Sequence, residues 1–215
     1  MHILYYAPGA ASLLVHWLLL DLDVPHELRR LDLEGREQKR PDYLALNPAG
    51  VVPTLLIDGT PMTEAAAIAM HLADLHADAG LAPAPGDPLR PAYCQWMFHL
   101  ANAIQPLLRM WWYPHEPAGT AHADAVLAHA RPRIEAAWER IDAHLAAHGP
   151  AGKAAFLLGD RPCVADFYLV MLMRWSRNMP RPAHAWPRLG VLAQRMKSRP
   201  SFRVLYEREG LLEWT

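Results

Sequence analysis

Cysteine is scarce in this chain of 215 residues: Cys94 and Cys163 are its two, far apart in sequence. With no C-x-x-C pair, neither a disulfide framework nor a thioredoxin-type redox motif is available. An excess of either charge is missing as well. Lys and Arg number 21 against 22 Asp and Glu, for a formal net charge of −1, and the basic residues are scattered, so no face is offered to nucleic acid. Long apolar runs are also absent. The most apolar early stretch, residues 13–20, contains His16 and is less than half the length that crosses a bilayer, and neither a charged n-region nor an A-x-A cleavage site precedes it. The expectation is a cytoplasmic protein with no membrane partner.

Hydrophobic residues make up 52% of the sequence, enough to bury a sizeable core in one large domain or two small ones. Residues 47–71 concentrate the local signals. A β-branched and apolar run from Val51 to Ile57 carries Pro53 near its head, where a proline marks a strand entry. Asp58-Gly59 is a strong hairpin pair, so Thr54–Ile57 and Thr60–Met62 read as two strands. Thr63 then reads as the N-cap of a helix over 65–79, with Glu64 at the positive end of its dipole. A cis bond at Pro53 would leave the Val52 N–H and C=O free to pair like a sheet edge, and the helix start offers N–H groups to a carboxylate.

Upstream, His2–Tyr6 alternates as a strand, Pro8-Gly9 breaks it, and residues 11–21 have helical spacing. Residues 26–33 read as a second strand, with a short helix at 42–46. The first 78 residues thus read βαβαββα. Residues 81–91 hold four prolines and a glycine, which suits a linker. Beyond it, segments 92–110, 121–148, 163–179, 186–198 and 201–207 all suit helices, with Pro106 expected to kink or restart the first of them near Asn102 and Ala103. His144 and His148 at i, i+4 lack a third ligand in the sequence and fit a helix C-terminus better than a metal site, so no metal is expected.

Asn47-Pro48-x-Gly50-x-Val52-Pro53-Thr54-Leu55, followed by Thr63-Glu64 and a helix ending His71-Leu72-Ala73, resembles the glutathione-site half of the cytosolic glutathione S-transferases. The resemblance continues in residues 4–9, in Gly159-Asp160 with Val164-Ala165-Asp166, and in Arg199-Pro200-Ser201-Phe202, and bacterial beta-class members are the nearest in pattern. It implies a thioredoxin-like domain over 1–80, a linker at 81–91 and an all-helical domain over 92–215 lining a hydrophobic substrate site. It further implies a homodimer, glutathione as co-substrate, and conjugation of its thiolate to hydrophobic electrophiles, a detoxification chemistry.

Such an enzyme must stabilise a thiolate near neutral pH, because the thiol ordinarily ionises at about 8.5. A hydroxyl at a helix start suits that task. Ser12 and Tyr6 are the candidate catalytic donors, with Ser12 favoured, since the beta-class cysteine falls on Ala11 and the serine of delta-like members on Ala10. The resemblance assigns glutathione contacts to Arg36, Val52, Pro53, Glu64 and Ala65, although at Ala65 most resembling proteins carry a serine. Ala10, Ala11, Gln105, Trp111, Trp112 and Tyr113 are expected to face the substrate, with Gln105-Pro106 standing where beta-class members have His-Lys. These replacements keep open a second reading, a non-catalytic binding protein of the same fold for a hydrophobic ligand or protein partner. Asp166 is expected to cap the helix after Cys163 by accepting from the Cys163 N–H alone.

Overall fold

The computed structural model describes residues 1–147 and 155–214, and the chain separates into two units. The first comprises Met1–Ala82 with Lys197–Glu213, and the second Pro83–Met196.

In the first unit β1 (His2–Tyr6), α1 (Ser12–Asp21), β2 (His26–Arg30), α2 (Pro41–Leu44), β3 (Thr54–Ile57), β4 (Thr60–Met62) and α3 (Ala65–Leu75) follow in that order. They form a four-stranded sheet ordered β2-β1-β3-β4. β1 and β2 are parallel, with Leu4 opposite Leu28, as a crossover through α1 demands, and β3 runs antiparallel to both β1 and β4. Asp58 and Gly59 both take positive φ, 48° and 85°, the geometry that a two-residue hairpin needs. Pro61 lies in β4, an edge strand where its missing N–H costs no ladder bond. This is the thioredoxin-like arrangement.

Helix α1 is buried almost all round: Leu13, Leu14, Val15, Trp17, Leu18 and Leu19 are each at most 1% exposed. One of its faces packs on the sheet and α3, and another on the last helix, Pro200–Glu209. A helix apolar on every side requires such cover. The last helix therefore completes the core of the first unit, whereas the expectation placed it with the helical domain. The tie is polar as well: Arg199 donates to both carboxylate oxygens of Asp21, and Trp17 Nε1 donates to Ser201 Oγ at 3.0 Å.

The second unit contains α4 (Arg90–His99), α5 (Gln105–Trp112), α6 (His115–Ala118), α7 (Ala123–Ala147), α8 (Val164–Trp175) and α9 (Pro187–Lys197); the last helix is α10. Between α4 and α5 the backbone forms a π-helical turn over Leu100–Ile104. Pro106 has no N–H to give to the Asn102 carbonyl, and the chain answers with a wider turn before restarting at Gln105. Asp166 of α8 is fully buried and accepts from the Cys163 N–H at 2.8 Å and from the Leu157 N–H at 2.9 Å, while the Cys163 side chain faces the Asp166 N–H. The expected single bond is thus a reciprocal cap that also ties down the chain before α8. Burial pushes the Asp166 carboxyl up to about 6 against these hydrogen bonds. His144 Nε2 lies 2.9 Å from the Leu157 carbonyl; His148 falls outside the described residues. No helix among the described residues is long and apolar enough to cross a membrane.

Candidate functional site

The peptide bond between Val52 and Pro53 is cis. The turn before it is held from beneath. Tyr43 Oη donates to the Val51 carbonyl at 2.7 Å, Asn47 Nδ2 donates to the same oxygen at 2.8 Å, and Asn47 Oδ1 accepts the Ala49 N–H at 3.1 Å. Tyr43 Oη also lies 2.8 Å from Thr54 Oγ1. Gly50, at φ 59°, comes so near the Gln38 carbonyl that an added Cβ would lie 2.8 Å from it, so the turn needs glycine here. Lys39 Nζ donates to the Ala49 carbonyl, joining the loop after β2 to this turn. With Val51 satisfied twice, the N–H and C=O of Val52 make no hydrogen bond among the described residues. A buried residue is left with one unpaired donor and one unpaired acceptor along an extended backbone, the arrangement that an extended peptide ligand pairs with.

The start of α3 adds a second open feature, and it differs from expectation. Thr63 does not cap the helix. The cap is Glu64, held at φ 68° and ψ 104° with no side-chain hydrogen bond to the helix start. A non-glycine residue in that region is strained by about 1–3 kcal/mol, and such strain concentrates at functional sites. The N–H groups of Ala65, Ala66 and Ala67 consequently have no partner among the described residues and present the positive end of the helix dipole. The Glu64 side chain is exposed; Ala65 is 6% exposed. Arg36 is exposed and left-handed at φ 57°, at the head of the short turn Glu37–Lys39.

The loop after β1 is the third part. Ala10 packs against the cluster formed by Ala7, Tyr43 and Val52, which brings this loop and the Val52 turn together. Ser12 sits in the first turn of α1 but is fully buried, and its hydroxyl is spent inside the loop: it donates to the Ala7 carbonyl and accepts the Ala7 N–H, both at 3.2 Å. A hydroxyl has one proton, so Ser12 has none left for a ligand sulfur. Tyr6 is 7% exposed and its ring lies tilted over His16 at 5.8 Å. Burial, reinforced by Glu209, raises its phenol above the ordinary tyrosine range, the reverse of what an activating donor needs. What the head of α1 does offer is backbone. The N–H groups of Ala11 and Ser12 make no hydrogen bond among the described residues.

In the helical unit the remaining expected residues also have internal partners. Gln105 Oε1 accepts from Tyr168 Oη at 2.5 Å, Trp111 Nε1 donates to Asn178 Oδ1 at 3.0 Å, and Trp112 Nε1 donates to the Trp175 carbonyl at 2.7 Å. Arg109 lies over the Tyr113 ring, which is 44% exposed. A separate cleft of about 230 Å³ in the first unit, lined by Tyr5, Arg40 and Tyr43, contains none of the expected site residues. No cluster of three or more His, Cys, Asp or Glu suited to a metal occurs among the described residues.

A thioredoxin-like sheet with an unpaired residue before a cis proline, an uncapped helix beyond the hairpin and a helical unit following it define the architecture of a glutathione transferase. The comparisons give the family. The glutathione S-transferase N-terminal domain family matches residues 11–75 and its C-terminal domain family residues 124–200. Glutathione S-transferase GST-4.5 of Xanthomonas campestris pv. campestris is 32% identical over 214 residues, covering 97% of this chain and 98% of that protein. A glutathione transferase homolog from Sulfitobacter, solved with bound glutathione, aligns with a TM-score of 0.87 at 27% identity over 99% of both chains. A beta-class enzyme from Sphingomonas chungbukensis aligns with a TM-score of 0.83 at 27% identity over 98% of this chain and 100% of that chain. The chain belongs to the glutathione S-transferase family and is a transferase of that type.

Sequence reasoning missed Tyr43, Asn47 and Glu209. Asn47 stands in the motif that carries the resemblance, but its role emerges only when its amide is seen folded over the turn.

Proposed function

We propose that the protein binds glutathione on its first unit and transfers the thiolate to hydrophobic electrophiles. The observation that carries this reading is the unpaired N–H and C=O of Val52, in a chain with family relatives over nearly its whole length. Glutathione pairs its cysteinyl backbone with Val52 across Pro53. Its γ-glutamyl carboxylate takes the N–H groups of Ala65 and Ala66, its ammonium faces Glu64, and its glycyl carboxylate faces Arg36. Its sulfur lies by Ala10 and Ala11 at the head of α1. With the Ser12 hydroxyl engaged by Ala7 and the Tyr6 phenol raised by burial, the amides of Ala11 and Ser12 receive the thiolate, and the helix dipole favours its charge.

Trp111, Trp112 and Tyr113 supply flat apolar surface of the kind an aromatic electrophile stacks on. The family architecture supports an isologous homodimer working in the cytoplasm; sedimentation as a species of 24.2 kDa would contradict the dimer. Retention on immobilised glutathione together with conjugation of a chlorinated nitroarene tests the reading. Retention without turnover on a panel of electrophiles would favour the non-catalytic alternative.

A further inference from the structure

The first unit contains a buried charged group that the reading above does not use. Glu209, in the last turn of α10, and His16, in the middle of α1, both have side chains that are 0% exposed. Glu209 Oε1 lies 2.8 Å from His16 Nδ1, and Glu209 Oε2 accepts the Gly9 N–H at 2.8 Å. An N–H at Nδ1 donating to the carboxylate satisfies both atoms of the first contact. In the neutral ring it leaves His16 Nε2 as a lone pair, and that nitrogen has no partner among the described residues. The groups facing the pair are the Tyr6 ring from β1, the His26 ring from β2 at 5.6 Å, and Arg208 of α10, whose guanidinium approaches His26 at 3.4 Å.

Burying a carboxylate is costly, and satisfying one imidazole would need only one of its oxygens. The second oxygen goes to a loop amide that is only partly buried and that water could have served. Both oxygens are thus committed, which fixes the orientation of the carboxylate and, through it, the place of Gly9 relative to α10. Gly9 has φ 68°, the left-handed turn that swings the chain from Pro8 toward Ala10 and Ala11. The same loop is fastened at its other side by the two hydrogen bonds between Ser12 and Ala7.

We propose that Glu209 is a positioning residue for the glutathione thiolate: acting through the Gly9 N–H, it sets the loop that aims the Ala11 and Ser12 amides at the sulfur. This rests on the glutathione reading above. Donors preorganised toward a developing or resident charge lose effect steeply when displaced, and a misplacement near 1 Å can cost about a hundredfold in rate.

The test uses the full-length protein with Glu209→Asp, Glu209→Gln and Glu209→Ala. The thiolate band of bound glutathione near 240 nm is followed against pH, with kcat and both KM values at pH 6.5 and pH 9. Aspartate is one methylene shorter and reaches only one of its two partners. Glutamine keeps the reach, accepting from Gly9 while its amide donates to the Nδ1 lone pair of the other His16 tautomer. Asp and Ala should therefore shift the thiol titration upward by about one unit and lower kcat about tenfold at pH 6.5, with most of the loss recovered at pH 9, and Gln should restore most of it.

KM for the electrophile should not move. Should Ala fail to fold, the contrast of Asp with Gln decides. Losses equal at both pH values, or an Asp variant that titrates like the parent, would overturn the role of Glu209 while leaving the glutathione site standing. A parent protein with no thiolate band at any pH would instead overturn the glutathione reading, and this inference with it.

Discussion

Ser12 and Ala7 are bonded to each other twice, hydroxyl to carbonyl and amide to hydroxyl, and that closed pair removes from the site the side chain best placed by sequence to hold a thiolate. The prediction that follows concerns stability before activity. Ser12→Ala leaves the Ala7 N–H without its hydroxyl acceptor, at about 1–3 kcal/mol, while the Ala7 carbonyl keeps the Ala10 N–H. A urea midpoint should report that loss. Because these bonds fasten the loop that carries the Ala11 amide, the loss of activity at pH 6.5 should be no larger than that of Glu209→Asp, since no proton donor to sulfur has been removed. A loss at the lower pH well beyond that of Glu209→Asp would restore Ser12 as the donor.

In the proposed site, Ala65 would offer glutathione an amide and no hydroxyl. Ala65→Ser should add one hydrogen bond to the γ-glutamyl carboxylate, strengthening binding roughly tenfold or more, since a bond to a charged group contributes about 1.5–3 kcal/mol. Calorimetric titration with glutathione reads it directly. Unchanged affinity would mean that the carboxylate does not sit at the head of α3.

Asp166 sets a pH dependence of stability. Its carboxyl titrates at about 6 in the folded protein against 3.8 ordinarily, so the folded state favours the protonated form. That contribution is complete below about pH 4 and is lost as pH rises through 6, a swing of about 3 kcal/mol. Asp166→Asn, with a single oxygen for two N–H donors, should be less stable than the parent at low pH. Its deficit should shrink between pH 4.5 and pH 7. Paired denaturation curves at the two pH values check the sign, and a deficit that grows with pH would refute it.

Arg199 and Asp21 tie α10 to α1 through a bidentate pair in which Asp21 is 7% exposed and Arg199 30% exposed. Arg199→Ala leaves a nearly buried carboxylate facing Ser201 alone and should cost about 2–3 kcal/mol. Because α10 closes the core of the first unit, hydrogen exchange in α1 should rise in the same variant. An unchanged exchange rate there would show that apolar packing alone holds α10.

Local chemistry was legible in the sequence because its causes lie within a few residues. Asp58-Gly59 demands the hairpin, Pro106 removes the N–H whose loss widens the turn over Leu100–Ile104, and the apolar run of α1 announces full burial. The strands of the sheet follow from the same short-range logic, whereas the cis bond that leaves Val52 unpaired was implied by the family resemblance and not by the local sequence.

What only the tertiary structure decided are the pairings between residues far apart in the chain. Helical spacing sets Glu209, unlike the exposed Glu207, on the face of α10 shared with Phe202, Leu205 and Tyr206; that this face brings it to His16 and Gly9, some 200 residues upstream, only the folded chain decides. Ser12 reads as a free hydroxyl until the loop folds back and Ala7 consumes it. Thr63 reads as a cap until the hairpin ends at Met62 and the chain must turn once more, at the strained Glu64, before a helix can begin. A hydroxyl or carboxylate has a local propensity but only one set of bonds at a time, and which bonds it makes depends on what the rest of the chain brings within 3 Å.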